Sequence, residues 1–349
     1  MAEIIRTERA HCLWIKEATF GTMITPNKRF GIHDTVVAPD PEYRWTPNFG
    51  IGSQDRNRQT ILRGPQDFRG SIPDIRLQGG TFTRSLMAQI LGRESGNSVL
   101  EGVSATDGRL PSMTMQIGLR DTSNTAVLLR NYYGGKVNRA SLSASEGEEL
   151  RCSLEELLFL GIKHNRSGVY GYDAGVTTAT DPGLSDEGRW IFSGASINFA
   201  GQSLCRVRRF NLSIDNQLEY RYYLCSTAGG IDHLQLPNDI VEGKRIYRLE
   251  IELDLGDPST DLELFDFLML EGAASTSTKV SGLQVTFTFQ TQAADNGLIF
   301  TINCSPSGSS TTRPGSVITS AKHNIPAPPA GLVPVTMSLD VNSVAFNLG

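Results

Sequence analysis

The stretch VNRASLSASEGEELRCSL, residues 137–154, decides the fold class. Ala140, Leu142 and Ala144 alternate with Ser141 and Ser143. Ser145 to Glu148 then supplies a polar turn with a glycine, and Leu150, Cys152 and Leu154 resume the alternation on one face. A period of two belongs to a strand with one buried and one wet face, and two such runs about a short glycine turn read as a β-hairpin. The pattern extends outward in both directions. Residues 190–199 (WIFSGASINF) and Val207–Ile214 read as strands. In Tyr247–Asp254 the alternation is strict: Leu249, Ile251 and Leu253 point one way, Glu250, Glu252 and Asp254 the other. Leu283–Gln290 behaves likewise, with a neutral polar face, and Val335–Val341 is a further alternating strand. The expected fold class is mainly β.

Two segments read as helices. In Thr83–Leu91 the residues Leu86, Met87, Ile90 and Leu91 fall at helical spacing, and Gly92 stops the run. In Thr260–Leu270 the acids Asp261 and Glu263 occupy the first turn, where the helix dipole favours them, and Gly272 follows the end. These helices expose a long repeat. Gly64 and Gly243, Arg69 and Arg248, Ile72 and Ile251, and Leu91 and Leu270 each lie 179 positions apart. The order of elements around them also recurs: strand, long loop, glycine, strand, helix, glycine, strands. This predicts a tandem duplication of one β-rich unit with a single helix, divided into residues 1–180 and 181–349. Irregular segments are expected at 1–20, about 34–60, about 164–188 and 305–334, the last rich in Ser, Thr, Gly and Pro.

Composition narrows the function. The 349 residues are 39% hydrophobic and 20% charged, enough apolar content for a core. No apolar run approaches the roughly 18–20 residues that span a bilayer, and the N-terminal residues lack the continuous apolar stretch of a secretory leader. The net charge of −5 argues against a general nucleic-acid binder, whose phosphate affinity comes from Lys and Arg. The balance is uneven: residues 1–180 hold 21 basic and 19 acidic side chains, residues 181–349 hold 11 and 18. Arg outnumbers Lys 25 to 7, which suits bidentate interface ion pairs and equally follows from a GC-rich genome.

No motif for catalysis is present. Cys12, Cys152, Cys205, Cys225 and Cys304 are odd in number and widely spaced, without a CxxC pair, and are expected to be reduced and mostly buried. His11, His33, His164, His233 and His323 show no ligand spacing. There is no nucleophile elbow, phosphate-binding loop or HExxH. The acidic pairs Glu148–Glu149 and Glu155–Glu156 read as solvated faces. No cofactor and no metal are expected.

The segment GGKVNRASLSASEGEELRCSL, residues 134–154, resembles a recurring pattern of the tail tube proteins of long-tailed bacteriophages, a GxKVNxLSLSAxxGE strand followed by a glycine-acid turn and a second strand. GPQDFRGSIPD at 64–74 looks like that family's strand entering its helix, and Phe192–Ile197 and Phe210–Asn216 resemble its second-half strands. The resemblance covers roughly residues 30–300; loop 305–334 has no counterpart in it, and the chain is about twice the common length.

The resemblance implies two tube-like β-sandwich domains, each with one flanking helix, that give strands to an oligomeric inner β-barrel. It implies a structural virion protein, not an enzyme, whose rings stack into a tail tube and conduct DNA passively during ejection. Its partners would be other copies of itself, a tape measure protein and tail terminator and tip proteins, with DNA in transit bound without specificity and no membrane. Assembly would take place in the bacterial host cytoplasm. With about four strands per domain, six domains give about 24 strands, a circumference of about 150 Å and a backbone diameter of about 48 Å. Two domains per chain favour a trimeric, pseudo-hexameric ring; the competing arrangement is a hexamer with the second half as outer decoration. The lumen would be acidic or neutral, with Glu250, Glu252, Asp254 and Asp74 as lumen-facing candidates, unless those acids face outer solvent. Subunit-interface candidates are Lys136, Arg139, Glu146 and Glu148, with Ile4 and Ile5 in the N-terminal arm. The alternative reading is a non-tube β-sandwich, a virion decoration or carbohydrate-binding module, for which Tyr220, Tyr222 and Tyr223 form the one aromatic cluster, better read as packing.

Overall fold

The structure, a computed structural model, describes residues 10–48, 60–79, 81–102, 109–120, 126–168, 171–182, 188–192, 196–199, 202–204, 206–223, 236–255, 284–291, 298–305, 309–310, 313–314, 316–323 and 333–348. The expected helix at 260–270, Ile4 and Ile5, and Cys205 and Cys225 lie outside them. The first half runs β1 (His11–Lys16), β2 (Lys28–Arg29), β3 (Pro41–Asn48), β4 (Thr60–Arg76), helix α1 (Thr81–Leu91), β5 (Gly92–Ser95), β6 (Ser98–Glu101), β7 (Met113–Arg120), β8 (Ala126–Ser145), β9 (Arg151–Leu158) and β10 (Gly161–His164). The second half runs β11 (Ser196–Phe199), β12 (Gln202–Leu204), β13 (Val207–Asp215), β14 (Glu219–Arg221), β15 (Asp239–Val241), β16 (Ile246–Leu255), β17 (Val285–Gln290), β18 (Ile299–Cys304), β19 (Ser309–Ser310), β20 (Arg313–Pro314), β21 (Val317–His323), β22 (Val333–Val341) and β23 (Val344–Leu348). The chain is mainly β, as the alternation predicts.

The hairpin read from residues 137–154 is β8 and β9, with Leu142 opposite Cys152 and Ala140 opposite Leu154. Leu150, Cys152 and Leu154 are all fully buried. Burial pushes the thiols of Cys152 and Cys304 up to about 12, because a thiolate in an apolar interior loses its hydration. Strand β8 is 20 residues long and serves two layers: its first half pairs with β7 and β10, its second with β9 and β13. The crossing falls at Gly134 and Gly135. Gly134 has φ 65°, and a Cβ on Gly135 would stand 2.2 Å from the Phe159 ring. Only glycine lets the strand pass so close to its neighbour.

Two strand orders recur along the chain. In the first half β3, β4, β9 and β8 are hydrogen-bonded in that order; in the second half β13, β16, β22 and β21 are. The β8–β13 pairing joins the two sets into one continuous sheet. The other layer repeats as well: β1, β7, β8 and β10 in the first half, β11, β17, β18 and β23 in the second. The glycine pair of the 179-residue offset occupies matching places. A Cβ on Gly64 would lie 2.4 Å from the Arg44 carbonyl oxygen, and one on Gly243 would lie 2.6 Å from that of Gln217.

Helix α1 begins two residues before the expected Thr83, within the usual spread of helix ends. Leu86, Met87, Ile90 and Leu91 are fully buried. Its last carbonyls accept hydrogen bonds from second-half side chains, Ile90 from Asn216 (3.1 Å) and Leu91 from Arg245 (2.9 Å), which satisfies groups a helix end otherwise leaves open. The two layers meet across aromatic rings. Phe210 of β13 stacks on Phe287 of β17 at 4.5 Å, and Trp190 packs on Phe300 at 5.2 Å.

Three expected irregular segments contain strands. His11–Lys16 pairs along its length with β7, Pro41–Asn48 with β4, and Val317–His323 with β22. The partner of β1 lies about a hundred residues away, whereas β3 and β21 pair with the next strand in the chain across a loop, and their own composition does not mark them. Because His11 and Cys12 belong to β1, the N-terminal arm proper ends before His11.

Candidate functional site

The continuous sheet β3-β4-β9-β8-β13-β16-β22-β21 has two unlike faces. On the second half of β8 and on β13, β16 and β22 every second residue is buried: Leu142, Leu212, Leu249 and Leu339 form one row across the sheet, and Phe210, Ile251 and Met337 belong to the next row on the same side. The residues between them form a polar face that nothing in the described chain covers. Ser143, Asn211, Glu250 and Ser338 make one row of that face; Ser141, Ser213, Arg248 and Asp340 make another.

The structure brings the four lumen-facing candidates to this face. Glu250 is exposed, between Asn211 on β13 and Ser338 on β22. Glu252 is half-buried, opposite Arg209 and Thr336. Asp254 lies 3.7 Å from Arg208. Asp74 sits at φ 61° on β4, its backbone N–H donating to Ser153 Oγ (3.1 Å) and its carboxylate paired with Arg151 (2.8 Å). That carboxylate holds the Arg151 guanidinium more firmly protonated. What sequence reasoning missed is the opposing charge. Arg209 and Arg248 stand in the same rows as the β16 acids and Asp340, and Arg139 stands opposite Asp215. The face is therefore rich in hydroxyls and close to charge balance rather than acidic. The available signal was the alternation of Ser with apolar residues in β8, and the Arg residues of β13 and β16.

The interface candidates separate. Lys136 is 0% exposed. Its Nζ donates to Glu242 (2.6 Å) and to the Ile240 carbonyl (3.1 Å) and lies over the Phe20 ring, so its charge is spent inside the chain and is no longer offered to a neighbour. The β14–β15 hairpin supplies that cover, a contact of long sequence separation. Arg139 is half-exposed and paired with Glu156 (3.1 Å), at the rim of an open cleft of about 560 Å³ that Asp215 and Glu242 also line. Glu146 and Glu148 are exposed in the β8–β9 turn. Backbone bonds anchor that turn to the second half, Glu146 N–H donating to Arg208 and Phe192 N–H donating to Glu148. Tyr220 and Tyr222 are committed to packing: their hydroxyls donate to the carbonyls of Phe68 and Gln66 (2.5 and 3.0 Å). Among the described residues no group of three or more His, Cys, Asp or Glu could hold a metal ion, and no helix is long and apolar enough to cross a membrane.

A family model described as phage tail tube protein matches residues 7–320. No curated protein matches the sequence.

Proposed function

The chain belongs to the phage tail tube protein family, and from that premise we propose that three copies close into one pseudo-hexameric ring whose inner wall is the open polar sheet face. Family membership makes it a structural component of the virion tail that assembles into tube rings. The observation that carries the finer reading is the repeated strand order. Each half supplies a four-stranded set, β3-β4-β9-β8 and β13-β16-β22-β21, and the two sets are already joined edge to edge. Three chains then give about 24 strands and a backbone diameter of about 48 Å; six chains in the same sheet would give about 95 Å. After side chains the smaller ring leaves roughly 35–40 Å, enough for a duplex of about 20 Å and water.

The polar face suits passive conduction. A lumen that bound phosphates would hold DNA, since affinity rises with each Lys or Arg that neutralises a phosphate. Here Arg209 and Arg248 stand in register with Glu252 and Asp340 of the neighbouring strands, so each row carries both signs of charge. Short hydroxyls between them keep water at the wall. The protein has no catalytic role in this reading, and the tape measure, terminator and tip proteins are its partners beyond itself. Electron microscopy of the purified full-length chain tests it: rings or tubes are expected, and monomers at all concentrations would overturn it.

A further inference from the structure

We propose that β21 of one copy pairs antiparallel with β3 of the next, in a register that sets Glu42 opposite Ser320, so that the seam between copies repeats the β8–β13 seam inside each chain. The proposal rests on the ring reading above and names its contact.

The register follows from matching rows. In the first half Ile72, Leu154 and Ala140 face one another across β4, β9 and β8. In the second half Ile251, Met337 and Ala321 do so across β16, β22 and β21. Ile72 and Ile251 carry the 179-residue offset, so Ala321 stands where Ala140 does, and Ser320 where Arg139 does. At the other edge Glu42 lies opposite Asp67 as Asp215 lies opposite Ile246, and 67 and 246 share the same offset. The glycine contacts agree: Gly64 abuts Arg44 and Gly243 abuts Gln217, two residues beyond Glu42 and Asp215. Within the chain, Arg139 is paired with Asp215 and Ala140 with Ile214. Carried over, Ser320 meets Glu42 and Ala321 meets Pro41 of the next copy.

The two edges suit this use. Among the described residues β3 pairs only with β4 and β21 only with β22, so each has an unpaired ladder edge, which a lone subunit exposes as an aggregation hazard. Glu42 and Lys322 are both exposed, and among the described residues neither makes an ion pair. In the proposed register Lys322 lies diagonal to Glu42, within reach of a long side chain. The type of pair is also fixed. Asn216 N–H donates to the Asn138 carbonyl at 2.8 Å, so the adjacent Asp215–Arg139 pair is a non-hydrogen-bonded one. Its equivalent, Glu42–Ser320, then has Cα atoms about 4.5 Å apart, within disulfide range. Pro41 falls in a hydrogen-bonded row and gives that row one bond instead of two.

The test is disulfide capture in the full-length chain carrying Glu42→Cys and Ser320→Cys. After mild oxidation, non-reducing gels should show linked species ending at three chains. The single variants and the off-register pair Glu42→Cys with Lys322→Cys should yield at least fivefold less. Stronger linking of the off-register pair, or rings by electron microscopy without linking, overturns the seam while leaving the ring reading intact; absence of rings from the unaltered chain overturns both. Charge exchange supplies a second readout if the cysteine pair impairs assembly. Glu42→Lys alone should raise the concentration needed for rings severalfold, and adding Lys322→Glu should reverse this. Additive weakening by the two exchanges overturns the proposal.

Discussion

Phe210→Ala is expected to lower the free energy of unfolding by about 3–5 kcal/mol. Phe210 is 0% exposed on β13, the strand that receives β8 and joins the two halves. Its ring stacks on Phe287 at 4.5 Å and packs on Phe289 at 5.6 Å, so it bridges the continuous sheet and the opposing layer. Truncation removes both ring contacts and leaves a cavity that two strands held by ladders on either side cannot close. The comparison is Ser213→Ala, three residues on and on the polar face, which should stay within about 0.5 kcal/mol. Urea midpoints at unchanged slope measure both. Equal effects of the two substitutions would show that the assigned faces are wrong.

Lys136→Ala is expected to cost about 3 kcal/mol, the lower end for breaking a buried ion pair, because Glu242 keeps 23% of its side chain exposed and can rehydrate in part. The loss has three parts: the ion pair with Glu242, the hydrogen bond to Ile240 and the ammonium over the Phe20 ring at 4.4 Å. Lys136→Met together with Glu242→Gln keeps the volume and removes both charges, and should recover most of the stability. The same urea titration checks it. A loss below about 1 kcal/mol for Lys136→Ala would mean that the lysine is solvated and free to meet another subunit, as the sequence alone suggested.

These two residues also show where sequence was sufficient and where it was not. Phe210 sits in a run whose alternation states its inward direction, and the same holds for Leu249, Ile251 and Leu253 of β16 and for the β8–β9 hairpin. Helix α1 was legible from the spacing of Leu86, Met87, Ile90 and Leu91. Lys136 was not legible, because its cover comes from a hairpin about a hundred residues away. Strand β1 was missed for a related reason, its partner β7 lying about a hundred residues on, while β3 and β21 were missed because of their own composition. Pro41 and Pro47 weaken β3 locally, and β21 follows a Ser- and Gly-rich stretch, so their pairing with β4 and β22 is set by tertiary context. For the candidate site, the acidic side of β16 was legible from one strand. The answering Arg209, Arg248 and Arg139 became visible only once neighbouring strands were placed in register.

The repeat is the strongest link between sequence and assembly. Sparse identities at an offset of 179 suggested two units. The matching strand orders, the matched glycine contacts and the β8–β13 seam give those units a common geometry and a way of joining. On these rest the proposed number of copies in a ring, the proposed width of its lumen and the proposed register of its seams. Counting the chains in one ring, by native mass measurement of single rings or by end-on class averages, tests this most directly. Three chains with sixfold-like modulation of the inner wall are predicted; six chains per ring would contradict the account.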